Sequence, residues 1–349
     1  MGRIEGGISL STEQRKAEHI RICLEEDVGS RSIGSGFERY RFRHEALPEL
    51  GFDRIDTSAE WLGRRLRVPL LISSMTGGTE EALRINRHLA EAAEARGWAM
   101  GLGSMRAAVE KPELARTFRI RDVAPSVPLV ANIGAVQLNC GYGVDECRRA
   151  VELAEADALV LHLNGMQELF QPEGDVDFAG LLGRIERLCR DMPVPVGAKE
   201  VGWGIAGDTA RRLADAGVRF LDVAGAGGTS WIQVEKFRSA DPVRRAAADA
   251  FADWGIPTAE CVVEARAAAP GCTLIASGGL ATGVDAAKAI ALGADIAGFG
   301  RSLLGAAVGS AERTAQTLER IEFELRAAMF GIGAGDLRKL RDTPRLVRI

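Results

Sequence analysis

Aromatic residues are scarce in this chain: 5% of 349 residues, against 41 glycines. That balance excludes a thick aromatic core and favours tight turns and close backbone approaches. No apolar run reaches the roughly 18 residues that a membrane span needs. The opening MGRIEGGISLSTEQRK has no apolar signal core, which predicts a cytoplasmic protein with no membrane partner. Six cysteines, at 23, 140, 147, 189, 261 and 272, never form a C-x-x-C pair. Reduced, mostly buried thiols are expected, with no disulfide or zinc framework. A net charge of −4 leaves no basic footprint for nucleic acid. Any anionic ligand must be held by a local cluster of bases.

What is present is repetition. Short runs rich in Val, Ile, Leu and Ala recur, separated by stretches of helical period. Strands are expected at 68–74, 98–104, 128–134, 158–164, 194–202, 219–227, 273–279 and 296–302. Strand then helix, eight times, in a chain of this length predicts an α/β protein, a (β/α)8 TIM barrel. A doubly wound open sheet is the rival, but it would want a G-x-G-x-x-G after an early strand, and there is none. Two units are expected: an N-terminal arm over 1–65, contributing to the substrate site, and a barrel with a C-terminal helix over 66–349.

Barrel sites form at the C-terminal ends of the strands. Here those ends carry Met75-Thr76, Ser104, Asn132, His162 with Asn164, Lys199, Thr229, Gly278-Gly279 and Gly300-Arg301. So many polar ends favour a working site over an accident of loop composition. The last two, in ASGGLATG and GFGRSLLG, place glycines just past a strand. Exposed N–H groups there, beside a helix N-terminus, make an anion cradle. The fourth end is the densest. His162 and Asn164 alternate on one strand face, while Gln167 and Glu168 lie in the loop beyond.

The arm carries STEQRKAEHIRICLEEDV, with Ser11 and Gln14 at capping-box spacing and Ile20, Cys23 and Leu24 as an apolar stripe. Arg15, Lys16 and His19 cluster near the helix start, where cations are disfavoured. They are either a solvated basic face or a clamp for an anion. The stretch AERTAQTLERIEFELRAAMFGIG reads as one long amphipathic helix that closes the barrel or forms an oligomer contact.

These pieces resemble the type 2, flavin-dependent isopentenyl-diphosphate isomerases. The motifs RKAEHI, SSMTGGT, GLGSMR, VANIGA, LHLNGMQELFQPEGD, GAKEVGWG, GAGGTSW and SGGLATGVDAAKAIALGAD stand in that family's order over residues 15 to 340. The chain departs from it at Gly165-Met166, where Pro-Leu is usual, and at Ala224 and Ala281, where Ser and Arg are common.

The resemblance implies FMN, Mg2+ and, as reductant, NADPH, in an enzyme moving the double bond of isopentenyl diphosphate to give dimethylallyl diphosphate. FMN would meet Ser74, Met75, Thr76, Ser104, Asn132, Lys199 and Thr229, with its phosphate on Gly279, Leu280, Ala281, Gly300 and Arg301. The substrate, an isoprenoid diphosphate, would meet Arg15, Lys16, His19, Ser104, Arg106, Asn164 and Gln167. Glu168 would bind the metal; one carboxylate suffices for Mg2+, which takes phosphate oxygens and water as its other ligands. Catalytic parts would fall to Gln167, Lys199 and His162. A neutral amide is no strong acid, which leaves the reduced flavin as main proton carrier and Gln167 as relay or orienter. His162 either titrates in the useful range or is a satisfied core histidine. A homo-oligomer, tetramer or octamer, is also implied. Rival flavin barrels fit less well: a 2-hydroxy-acid oxidoreductase needs a late histidine, and none follows position 162. GAGGTSWIQ also lacks the cysteine of a nucleotide dehydrogenase.

Overall fold

A computed structural model describes residues 12–349, apart from the side chains of Thr12 and Glu13. Ser11, half of the expected capping box, lies outside the described residues. Eight strands form one closed barrel: Leu70–Ile72, Ala99–Gly101, Leu129–Gly134, Ala158–His162, Val196–Lys199, Phe220–Asp222, Thr273–Ala276 and Ile296–Phe299. Every neighbouring pair is parallel, and Ala297–Phe299 pairs with Leu70–Ile72 to close the ring. All eight expected strands are there, and all but the third, which reaches Gly134 as expected, are shorter at the C-terminal end. The polar and glycine-rich tips leave the ladder because they turn into loops; Gly202 and Gly278 take φ of 151° and 104°, open to glycine at little cost.

The barrel interior is filled by Leu71, Ala99, Val130, Val160, Phe220 and Ile275. A hairpin of Ala59–Trp61 and Arg64–Leu66 stoppers the bottom, with Trp61 edge-on to Phe220 at 5.4 Å. The division expected at 65/66 runs through that hairpin, so the stopper belongs to the barrel core. The helix Ala311–Gly331 buries Thr314, Leu318, Ile321, Leu325 and Met329 at three- and four-residue spacing. It packs on Glu80–Arg96 and Gly283–Ala291, closing the helical ring within the chain. The strand Leu346–Arg348 then pairs antiparallel with Tyr40–Phe42, fastening the C-terminus to the arm.

The helix Thr12–Glu25 lies at the barrel mouth, tied by Ser230 N–H donating to the Val28 carbonyl at 2.8 Å. Its inward stripe differs from the expected one. Ile20 and Ile22 are buried, whereas Leu24 is 44% exposed. The ring of helices leaves a groove that the stripe containing His19, Ile20, Ile22 and Cys23 fills. None of the six cysteines is paired, and Cys147, Cys261 and Cys272 are buried. Among the described residues no helix is long and apolar enough to cross a membrane.

Candidate active site

The loops after the strands surround one cavity of about 410 Å3. Loops one and two supply Ser74, Met75, Thr76, Ser104 and Arg106. Asn132, His162 and Lys199 enter from strands three, four and five, and Thr229 from the loop after strand six. Gly279, Leu280 and Ala281 follow strand seven; Gly300 and Arg301 follow strand eight. The N-terminal helix adds Arg15, Lys16 and His19, and Asn164, Gln167 and Glu168 complete the wall. Every site residue singled out in the sequence therefore lines the same space.

The two glycine turns differ. Thr282 caps the helix Gly283–Ala291 with its own hydroxyl, in a capping box with Asp285. The helix Arg301–Gly309 starts at Gly300 with no side-chain cap, leaving its N–H groups for an outside acceptor. Nearby, Ser73 Oγ and Thr76 Oγ1 are buried without a hydrogen-bond partner. Loops six and seven touch backbone to backbone: a Cβ on Gly228 would lie 2.6 Å from Gly279 N. A Cβ on Gly300 would meet nothing nearer than Ser73 Cβ at 4.0 Å. An uncapped helix start, orphaned hydroxyls and open space between them fit the phosphate of a flavin mononucleotide. We expect Gly300→Ala, where a methyl meets nothing nearer than 4.0 Å, to stay folded. Its methyl occupies the cradle, so FMN affinity should fall roughly 10–100-fold, one to two contacts' worth at 1.36 kcal/mol per decade. Equal FMN titrations of the two proteins would refute the cradle.

His162 Nδ1 lies 2.8 Å from Asn132 Oδ1. Burial, then the charges of Lys199, Lys16 and Arg15, push the imidazole down to about 3. The expectation that it titrates near neutrality gives way to a neutral ring. Its Nδ1–H donates to Asn132 and Nε2 remains an acceptor. Lys199 Nζ donates to the Glu200 carbonyl at 2.5 Å. Glu200 itself accepts the backbone N–H groups of Val201, Gly202, Trp203 and Gly204, bracing the loop; burial nonetheless pushes it up to about 7. Lys16 is brought down to about 8 by burial and by neighbouring Arg15. Arg15 already lies 3.7 Å from Glu173, whereas desolvated Lys16 would gain from an anion beside it.

Gln167 is held from two sides. Its Nε2 donates to Glu235 Oε1 at 3.1 Å and its Oε1 accepts from Asn164 Nδ2 at 3.3 Å. Glu235 also takes His19 Nε2 at 3.0 Å and Arg238 Nη1 at 2.5 Å, with its side chain fully buried. Burial alone would raise this carboxyl, but His19 and Arg238 outweigh it and bring it to about 2. His19 is lowered by burial, so it is a neutral donor to an ionised Glu235. Glu168 accepts Asn164 Nδ2 and Asp175 N–H, both at 2.8 Å. Burial raises its pKa, and the like charge of Asp175 adds to this. A cation would relieve both. Among the described residues no three acidic, histidine or cysteine side chains form a metal cage, so a metal here would lean on ligand oxygens and water.

Sequence reasoning missed Glu235, Arg238, Ser73 and Asp222. Asp222 had a visible signal, a carboxylate inside the apolar run RFLDVAG; it is buried and accepts Ser277 Oγ at 2.6 Å. Of the departures noted above, Ala224 holds φ at 38°, a left-handed conformation that strains an alanine at the cavity wall. Ala281 is exposed, with its N–H on Asp285 at 3.2 Å. Gly165 opens the helix Gly165–Phe170 beside the Phe178 ring.

Residues 11–116 and 162–348 match the model of the FMN-dependent dehydrogenase family. The chain is 53% identical over 333 residues to the isopentenyl-diphosphate delta-isomerase of Oceanobacillus iheyensis, covering 95% of each chain. It is 54% identical over 341 residues to that of a Nostoc species, covering 98% of this chain and 97% of the relative. In fold it is similar to an (S)-mandelate dehydrogenase, with a TM-score of 0.68, 18% identity, and 95% and 99% of the two chains covered. A mandelate oxidase variant superposes with a TM-score of 0.65 at 22% identity, covering 95% and 93%.

Proposed function

We propose, from the premise that this chain belongs to the FMN-dependent, type 2 isopentenyl-diphosphate delta-isomerases, how its cavity performs the reaction. The enzyme interconverts isopentenyl diphosphate and dimethylallyl diphosphate by a 1,3-allylic proton shift. The observation that carries the reading is the pairing of two anion sites in one cavity: the uncapped helix start at Gly300, and the cation Lys16 beside Arg15 and Arg106, which a diphosphate would draw from Glu173 and from Glu110 and Asp175. One suits the FMN phosphate, the other the substrate diphosphate. The mandelate enzymes share the barrel, yet no histidine follows position 162 to act as the base for a hydroxy acid.

In this reading Ser74, Met75, Thr76, Ser104, Asn132, Lys199 and Thr229 hold FMN, and Gly279, Leu280, Ala281, Gly300 and Arg301 hold its phosphate. Reduced FMN supplies the acid–base chemistry, and NADPH keeps it reduced. Arg15, Lys16, His19 and Arg106 would clamp the diphosphate, with Ser104 and Asn164 beside it, and Glu168 would hold Mg2+, which would supply positive charge at the substrate. The arm thereby contributes to the substrate site. Gln167, fixed by Glu235 and Asn164, orients the alkene carbons or relays the proton. Neutral His162 presents Nε2 as an acceptor, and Lys199 favours negative charge on the flavin in a dry site. The protein acts as a homo-oligomer in the cytoplasm.

Reconstitution tests this. The protein should take up FMN in preference to FAD, and anaerobic turnover should vanish when Mg2+ or reductant is left out. Stoichiometric FAD with no FMN bound would sink the reading.

Lys16 gives a pH test. Its proton leaves near pH 8, far below the ordinary lysine value of 10.5. Substrate capture needs the charged form, so kcat/KM should fall as pH rises through about 8. Lys16→Arg, always protonated, should push that limb upward. A wild-type profile flat to pH 9.5 would contradict the clamp.

A further inference from the structure

We propose that a basin at the opposite end of the barrel is a second anion site, built for the phosphate or diphosphate end of a small molecule. Its volume is about 640 Å3, and its walls come from residues 55–58, the stopper hairpin, the end of the helix Glu80–Arg96 and the helix Ala311–Gly331. Val68 and Arg96 lie just before strands one and two, so the basin is at the N-terminal face, away from the flavin cavity.

Four guanidinium groups line it: Arg65, Arg67, Arg96 and Arg326. Two carboxylates, Asp56 and Glu322, share the lining. Glu322 is already committed, accepting Arg96 Nε at 3.1 Å and Trp98 Nε1 at 2.8 Å. Among the described residues no carboxylate forms an ion pair with Arg67 or Arg326, while Arg65 lies near enough to Asp56 to help hold that carboxyl below its ordinary value, after the Ser58 hydrogen bonds. Arg67 is anchored to the Ala95 carbonyl at 3.2 Å. Arg326 donates Nη2 to the Phe52 carbonyl at 2.9 Å, and its guanidinium lies 4.6 Å from the Phe52 ring centroid. That pose leaves Arg326 Nε buried with no hydrogen-bond partner.

Two observations thus converge. A buried donor left unbonded in a native fold calls for an acceptor, and Arg326 would turn its Nε toward the basin to reach one there. Unpaired guanidinium groups facing one space repel one another until an oxyanion, matched to their planar forks, lies between them. The basin also falls in the range of small-molecule pockets, about 300–1,000 Å3, and exceeds what a bare ion fills. Buried Ile55 and Val68 offer an apolar wall for whatever the phosphate carries.

The test is calorimetric titration of inorganic diphosphate into the FMN-loaded full chain. Wild type should bind two per chain. Arg65→Ala with Arg67→Gln, at exposed positions that do not threaten folding, should bind one, with affinity at the basin reduced at least tenfold. Arg326→Gln should do the same. Arg15→Ala with Lys16→Ala reports on the mouth alone, so failure of the proposed function and failure of the basin separate. A titration unchanged by the Arg65/Arg67 substitutions overturns the proposal. Repeating it with dimethylallyl diphosphate identifies the source. Tighter binding than inorganic diphosphate, lost in the Arg65/Arg67 variant, places the prenyl tail in the basin; equal binding assigns it to free diphosphate or phosphate.

Discussion

Glu235→Ala should cost the protein both stability and turnover while leaving FMN in place. Glu235 is fully buried between His19, Gln167 and Arg238, and Arg238 has a side chain 1% exposed. Breaking a buried ion pair by removing one partner costs about 3–5 kcal/mol, because the remaining charge is stranded. Glu18 and Glu173 still reach Arg238, at 3.0 and 3.1 Å, which puts the loss at the lower end. Against a usual total of about 5–15 kcal/mol, that is a large share. Turnover should suffer separately, since Gln167 and His19 lose the acceptor that fixes them. The pH dependence follows the same logic. Glu235 titrates well below its unfolded value of 4.5, so its contribution is present above that pH and is lost as pH falls toward 2. Denaturant unfolding of the variant at pH 7 checks this. A stability within 1 kcal/mol of wild type, with wild-type kcat, would show the network to be ornamental.

The second large effect belongs to Glu168. Glu168→Gln keeps the shape and the Asn164 and Asp175 contacts but removes the charge a hard cation needs. Charge stabilisation by a metal is worth several kcal/mol, so kcat/KM should fall on the order of 100- to 1,000-fold. FMN affinity should not change, because the cradle at Gly300 lies on another loop. Burial raises the Glu168 pKa, so Mg2+ affinity of the wild type should weaken as pH falls through a value above the ordinary 4.5. The variant should show no such limb. Equal Mg2+ titrations of variant and wild type would remove the metal from this residue.

Much of this was legible in the chain because a parallel barrel writes itself as apolar runs with polar tips. Each run marked a strand, and each tip marked a loop that reaches the mouth. The strands came out shorter than the runs because Val223 to Gly227, like Val201 and Gly202, are apolar or small for contact with neighbouring loops rather than for the ladder. Glu235 was hidden for a different reason. It lies inside the helix Trp231–Arg238, where WIQVEKFR gives no sign of a site, and two of its three partners, His19 and Gln167, are 216 and 68 residues away. Long-range polar networks have no period for a sequence to display. Leu24 misled because heptad-like spacing does not say how far round a helix the groove extends. Of the two readings open for His162, titration near neutrality failed because burial first, and then three cations that only the fold brings near, keep the ring neutral.

Isomerisation in deuterated water is the most direct measurement of the central claim. Isopentenyl diphosphate is incubated anaerobically with the protein, FMN, Mg2+ and NADPH, and the product is followed by NMR. The account predicts dimethylallyl diphosphate with solvent deuterium in its newly formed methyl group, over many turnovers and with no net oxidation of the flavin. No allylic product, or product formed only in step with flavin oxidation, would contradict it.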